Sequence, residues 1–137
     1  MRPLAQLDVE RVQDALVVHL EGEIDISNAA ELGAALEAAA TSDTLGIVLD
    51  LTHTSYIDSA GVHLLFRLGG RLTRRRQQLR IVVPADSPIK KVIKLTGVGW
   101  TVPHDDSVDE AVRGLRAEVR PVPGSETWNS DPNAEWW

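Results

Sequence analysis

Along residues 1–120 two hydrophobic rhythms alternate, one with every second side chain apolar and one with apolar side chains three or four apart. That alternation is the mark of an α/β domain. Residues 7–11 read as a short strand and Gln13-Asp14 as a turn. Residues 15–21 read as a second strand, with Leu16, Val18 and Leu20 on one face and Val17, His19 and Glu21 on the other. Strand, tight turn and strand predict a hairpin, hence a mixed sheet, with one face of the second strand only partly buried. Asn28, with Glu31 three residues on, predicts a capped helix whose inward stripe is Ala29, Leu32, Leu36 and Ala39 or Ala40. Residues 46–51 form a nearly continuous apolar run, as in a central strand covered on both faces.

A second helix is expected from about Ser59 into the arginines at 74–76, with Leu64, Leu65, Leu68 and Leu72 as its buried stripe. Residues 79–83 read as a strand stopped by Pro84. Asp86-Ser87-Pro88 opens a third helix with Ile89, Val92 and Ile93 inward. Residues 100–102 read as a last short strand. A fourth helix starts at the capping box Ser107-x-x-Glu110, with Val108, Ala111, Val112, Leu115 and Val119 at helical spacing. The predicted order is β-β-α-β-α-β-α-β-α. The fold class is therefore α/β, one small domain with a mixed β-sheet and about four packed helices.

Past residue 120 the rhythm ends. Residues 121–137 hold three prolines, three acids, no lysine or arginine, and three of the four tryptophans, Trp128, Trp136 and Trp137. This segment is expected to be a flexible acidic tail appended to a domain spanning 1–120. Its tryptophans suit either a loose fold back onto the domain, the preferred reading, or a docking peptide.

Composition narrows the function. A chain of 137 residues holds one domain with a real core. The absence of cysteine excludes disulfide scaffolds, thiolate zinc sites and cysteine nucleophiles. A net charge of −6 argues against direct nucleic-acid binding. No apolar stretch approaches the ~18 residues of a membrane span, and the first residues lack a signal-peptide run, so neither a membrane nor export is expected. The default location is cytoplasmic.

The densest polar feature is the junction at residues 52–61, Thr-His-Thr-Ser-Tyr-Ile-Asp-Ser-Ala-Gly. It follows a central strand and enters a helix N-terminus, where unpaired N–H groups favour negative charge. Either Asp58 or Ser59 can cap that helix. Four segments together, Leu-Glu-Gly-Glu-Ile-Asp at 20–25, Ile-Val-Leu-Asp-Leu at 47–51, Tyr-Ile-Asp-Ser-Ala-Gly at 56–61 and Ile-Lys-Leu-Thr-Gly at 93–97, closely resemble the STAS domain family. More narrowly, they are similar to its bacterial anti-sigma factor antagonists, in the right order from about residue 4 to 119.

The resemblance implies that Ser59 is phosphorylated by a partner serine kinase of the ATP-binding type, itself the anti-sigma factor. It implies that Asp25 stands beside the phosphorylation loop. The expected phosphosite environment is Asp25, Asp58, Ala60 and Gly61. Val62, His63, Arg67 and Arg71 are candidate partner contacts. Unphosphorylated protein is then expected to sequester the kinase and free a sigma factor, phosphorylation to block binding, and a serine phosphatase to reset Ser59. The alternative is a constitutive scaffold or transporter-regulatory module with no phosphoswitch. Where the family often has Gly-Leu-Gly after the serine motif, this chain has Gly61-Val62-His63.

Enzymatic readings find little to stand on. There is no Gly-x-Ser-x-Gly elbow, the four histidines are scattered, and no His or Glu pair shares a helix face. No glycine-rich phosphate loop is present, so no cofactor is expected. A phosphoacceptor receiver is a nearer rival because Asp50 ends an apolar strand. It lacks the acidic pair and the lysine, and Asp50 is better read as a hydrogen-bonded acid at a strand end. Arg67, Arg71, Arg74, Arg75, Arg76 and Arg80 form the one strong basic cluster. It reads first as a solvated helix end, second as a landing surface for an acidic partner.

Overall fold

β1 (Ala5–Val12) and β2 (Ala15–Ile24) make the expected antiparallel hairpin, in register from Ala5 opposite Gly22 to Val12 opposite Ala15. Gln13 takes a φ of 58° in the turn, the left-handed conformation that such a tight connection requires. These coordinates come from a computed structural model that describes residues 5–119; the expectations for the segment 121–137 fall outside it.

β3 (Gly46–Asp50) adds to β2 in parallel, aligned from Ala15 opposite Gly46 to His19 opposite Asp50. Beyond that point the same edge of β2 is taken by β4 (Thr54–Ile57), with Glu23 opposite Tyr56 and Ile24 opposite Ile57. β5 (Gln78–Val82) and β6 (His104–Asp105) extend the sheet in parallel, giving the order β1-β2-β3-β5-β6. The sheet is mixed because only its hairpin is antiparallel.

One face carries α1 (Ala29–Ala39), α2 (Ser59–Arg74), α3 (Lys90–Thr96) and the single turn α4 (Val98–Thr101). The predicted leucine stripe of α2 is buried in full, each such side chain contributing on the order of 1.5–3 kcal/mol. The other face carries α5 (Val108–Val119), whose Ala111, Val112 and Leu115 pack on Ala15, Val17, Val48 and Val82. That explains why β3 is buried along its whole length. The outer face of β2 is half covered as expected, closed at Val17 and open at His19 and Glu21. The Ser107 hydroxyl accepts from the Glu110 amide at 3.2 Å, and the Glu110 carboxylate accepts from Asp106 N–H rather than from the cap residue itself.

Four expectations need correction. Residues 54–57, read as loop, form β4, because burying Thr54 and Ile57 docks this segment on the free edge of β2. Residues 100–102 are no strand: Val98 and Val102 are buried four apart, a helical spacing, and this leaves Trp100 on the outside of α4, 92% exposed. The last strand is β6. α3 begins at Lys90, with the Ser87 hydroxyl accepting from Ile89 N–H. Asn28 precedes α1 without capping it. Its side chain accepts from Asp25 N–H at 3.0 Å and donates to the Glu23 carbonyl at 2.8 Å, so the amide faces back into the loop.

His19 lies at the open part of the β2 face. Its Nε2 is 2.7 Å from Glu10 on β1, and its Nδ1 is 2.7 Å from Asp50 at the end of β3. Hydrogen bonding to Glu10 raises the His19 pKa above its ordinary 6.5, against partial burial and with help from Asp50. For Asp50, burial opposes the charged form, but the Thr52 hydroxyl, His19 and the Thr52 amide hold the carboxyl below its usual value. A histidine raised on folding adds stability that is complete below about pH 6.5 and is lost as pH climbs through its folded pKa. The depressed Asp50 contributes above about pH 4, and loses that contribution as pH falls through its folded value. Melting temperature is therefore expected to decline from pH 6.5 upward, and His19→Gln to flatten the decline in a pH series. Parallel slopes for the two proteins would show that the imidazole does not stabilise the fold.

Candidate functional site

The C-terminal ends of β2 and β4 lie side by side, and each runs into a loop that starts a helix. The first loop carries Asp25, Ile26, Ser27 and Asn28 into α1; the second carries Asp58 into α2. Asp58 joins them. One carboxylate oxygen accepts from Ala60 N–H at 2.9 Å and Gly61 N–H at 3.1 Å, capping α2, and the other accepts from Ile26 N–H at 3.2 Å. The Asp58 N–H donates to the Ile24 carbonyl at 3.2 Å. Of the two possible caps, Asp58 is the one used.

Ser59 is then the first residue of α2, with its side chain exposed. Among the described residues no hydrogen bond holds its hydroxyl, so the fold does not use it. Asp25 is half-buried in the neighbouring loop, where it accepts from Ser27 N–H at 2.9 Å and from the Ser27 hydroxyl. Gly61 has a packing reason: a Cβ built there would lie 2.5 Å from Ile57 Cγ1 and 2.9 Å from Ile24 Cγ2. Only a hydrogen lets the first turn of α2 come so close to β2 and β4, and that approach is what holds Ser59 at the rim.

Two exposed apolar side chains stand on the segments that meet at this junction, Ile26 at 83% and Tyr56 at 49% exposure. Neither is among the residues expected at the site. Single exposed apolar side chains are common on protein surfaces, and neither position carries a local signal in the sequence, since Ser55 and Tyr56 are both exposed in β4. A groove of about 350 Å³ between α1 and α2 opens next to Ala60, and His63, Arg67 and Arg71 stand along it.

The structure thus brings together Asp25, Asp58, Ser59, Ala60 and Gly61, with His63 exposed one turn along α2. It turns Val62 the other way: at 8% exposure this side chain belongs to the core and presents nothing to a partner. Arg71 is spanned across the groove to Glu37, at 2.8 Å. The arginine cluster also divides. Arg75 donates to the Ala40 carbonyl at the end of α1, and Arg80 lies under α5, paired with Asp105 at 3.0 Å on the opposite face of the sheet. Gly114 makes the space for its guanidinium. Asp50 is the hydrogen-bonded strand-end acid that its position suggested. Among the described residues, no group of acids and histidines is placed to hold a metal ion, and no helix is long and apolar enough to cross a membrane.

The STAS domain model matches residues 6–111, a span that begins in β1 and ends in α5. The chain belongs to the STAS domain family. This STAS domain is 25% identical over 114 residues to BtrV of Bordetella bronchiseptica, whose name carries the description anti-sigma factor antagonist; the match covers 83% of this chain and 97% of BtrV. An anti-sigma factor antagonist from Mycobacterium paratuberculosis has a crystal structure that superposes with a TM-score of 0.73 at 26% identity, over 82% of this chain and 94% of that one. The Bacillus cell fate determinant SpoIIAA, solved in its phosphorylated form, superposes with a TM-score of 0.57 at 22% identity, over 81% of this chain and 100% of its own. At that identity the likeness speaks for the fold: a small mixed sheet with helices packed on it.

Proposed function

We propose that this STAS domain is an anti-sigma factor antagonist switched by phosphorylation of Ser59. The observation that carries the proposal is the division of labour at the start of α2. Asp58 does the capping, and an exposed serine hydroxyl is left over for chemistry. The names of BtrV and of the Mycobacterium protein support the same role.

In the unphosphorylated state the partner meets a small neutral hydroxyl at the exposed start of α2, which it can bury. The partner is an anti-sigma factor that is also a serine kinase of the ATP-binding type, and its capture frees a sigma factor. Phosphate adds about −1.5 to −2 charge at this position. The amides of Ala60 and Gly61 already donate to Asp58, so the phosphate finds the nearest helix donors taken and a carboxylate next to it. It must face outward. A partner surface shaped for a hydroxyl then has to desolvate a dianion, which costs far more than a neutral group. The domain itself keeps its cap and its fold. A serine phosphatase would restore the binding form.

Incubation with the cognate kinase and ATP, followed by peptide mass spectrometry, is expected to place a single phosphate on Ser59. Thr54 is fully buried and donates to the Leu20 carbonyl, and Ser55 donates to the Gly22 carbonyl. A phosphate found chiefly on either of these would overturn the assignment.

A further inference from the structure

The groove between α1 and α2 has a floor of small and apolar side chains, Ala30, Gly33 and Ala34 facing Leu64 and Leu68. The helices approach so closely that a Cβ on Gly33 would come within 2.8 Å of Leu64 Cδ1. With alanine on one side and leucine on the other, the space above the contact stays open. The groove takes in about 350 Å³, within the range of clefts that hold small molecules. Arg67 and Arg71 line its α2 side, with Glu37 opposite Arg71. An occupant suited to it has an aromatic group for the floor and acids for Arg67.

The chain carries such a segment. Residues 121–137 contain Trp128, Trp136 and Trp137, the acids Glu126, Asp131 and Glu135, and no lysine or arginine. We propose that this segment docks in the α1–α2 groove of its own domain, with tryptophan on the alanine floor and its acids facing Arg67, Arg71 being held by Glu37. The direction of the helices permits it. α2 leads back to the start of β5, so Arg71 stands at the end of the sheet where the parallel strands begin. α5 runs from the end of β6 toward the same end, where Leu115 packs with Ala15. Eighteen residues follow Val119, and at about 3.3 Å per extended residue they reach roughly 60 Å. That length suffices to round the sheet and follow the groove. Docking there covers the surface next to Ser59, so the segment competes with the partner; this consequence rests on the proposed function, whereas the docking does not.

The test uses the full chain carrying Trp100→Phe. Trp100 stands on the outside of α4, and without it every tryptophan belongs to the segment. Emission is expected to be blue-shifted and shielded from acrylamide, and to relax toward that of a solvated indole as salt screens the charges over about 8–10 Å. Arg67→Glu, at an exposed position, should return emission toward the solvated value at low salt. Reversing the three acids of the segment to lysine should do the same without touching the domain, and combining the two changes should restore the blue shift. Solvated emission in the Trp100→Phe chain would overturn the proposal and leave the groove to another protein. A blue shift unmoved by either reversal would place the segment elsewhere. A blue shift that grows with concentration, with a dimer in sedimentation, would mean a second copy fills the groove and would overturn docking within one chain.

Discussion

Ser59→Asp is expected to weaken binding to the anti-sigma factor by at least about tenfold, equivalent to about 1.4 kcal/mol, while Ser59→Ala binds as the native protein does. The aspartate adds one charge beside Asp58, at a spot whose helix amides are already engaged, and the interface must bury that charge. Phosphoserine, with nearly twice the charge, should do more. Alanine removes a hydroxyl that the fold does not use. Because Asp58 rather than Ser59 caps α2, Ser59→Ala is expected to melt within about 0.5 kcal/mol of the native protein, the usual range for surface substitutions. Titration calorimetry with the partner, beside thermal melts, separates the two effects. Equal affinity for native, Ser59→Asp and phosphorylated protein would remove the loop from the interface and favour a constitutive scaffold.

Gly61→Ala should strike the fold instead. Replacing glycine with alanine inside a helix ordinarily gains up to about 1 kcal/mol of propensity. Here the added methyl must displace Ile57 and Ile24, whose carbons stand 2.5 and 2.9 Å from it. Overpacking of this kind costs about 1–3 kcal/mol, and because Ile24 is fully buried in β2 and both isoleucines close on the same methyl, the clash outweighs the propensity. The net loss is expected at about 1–2 kcal/mol, or roughly 4–8 °C per kcal/mol in melting temperature for a small domain. Relief has to come from α2 lifting off the strands, so partner binding should fall with it. A variant that melts at or above the native temperature would show that the first turn of α2 has room to spare.

The elements with long, regular patterns were legible from the residues alone. The stripe from Leu64 to Leu72 and the second strand of the hairpin each have a clear period, and the run at 47–51 is too short for a buried helix and bounded by Gly46 and Thr52. β4 was not legible, because its four residues bury Thr54 and Ile57, an i, i+3 interval that breaks alternation and belongs to a helical turn rather than a strand. It exists because β2 outruns β3 and leaves an edge to be filled. At the site, the Asp-Ser-Ala-Gly motif located Ser59, but its own spacing could not say why Gly61 is glycine. That depends on isoleucines from two strands. Likewise, the tie from Asp58 to Ile26 joins residues 32 apart, and the α1–α2 groove arises where an alanine-rich helix meets a leucine-rich one. The inward turn of Val62 and the departure of Arg80 to the far face both follow from packing that a local reading does not contain.

The succession of β3 and β4 along one edge of β2 also divides the domain into parts of unequal resistance. β3 lies between β2 and β5, and its release would dismantle the core. β4 pairs with β2 alone, over a few residues, with a shift in register between Gly22 and Glu23. Detaching it exposes Thr54 and Ile57 and little else of the central sheet. Amides of this strand and of the Asp58 loop should consequently exchange with solvent through a local opening far cheaper than global unfolding. On the proposed function, this opening would loosen the segment that leads into Ser59 at the start of α2, so a kinase could approach the serine while the rest of the sheet remains closed.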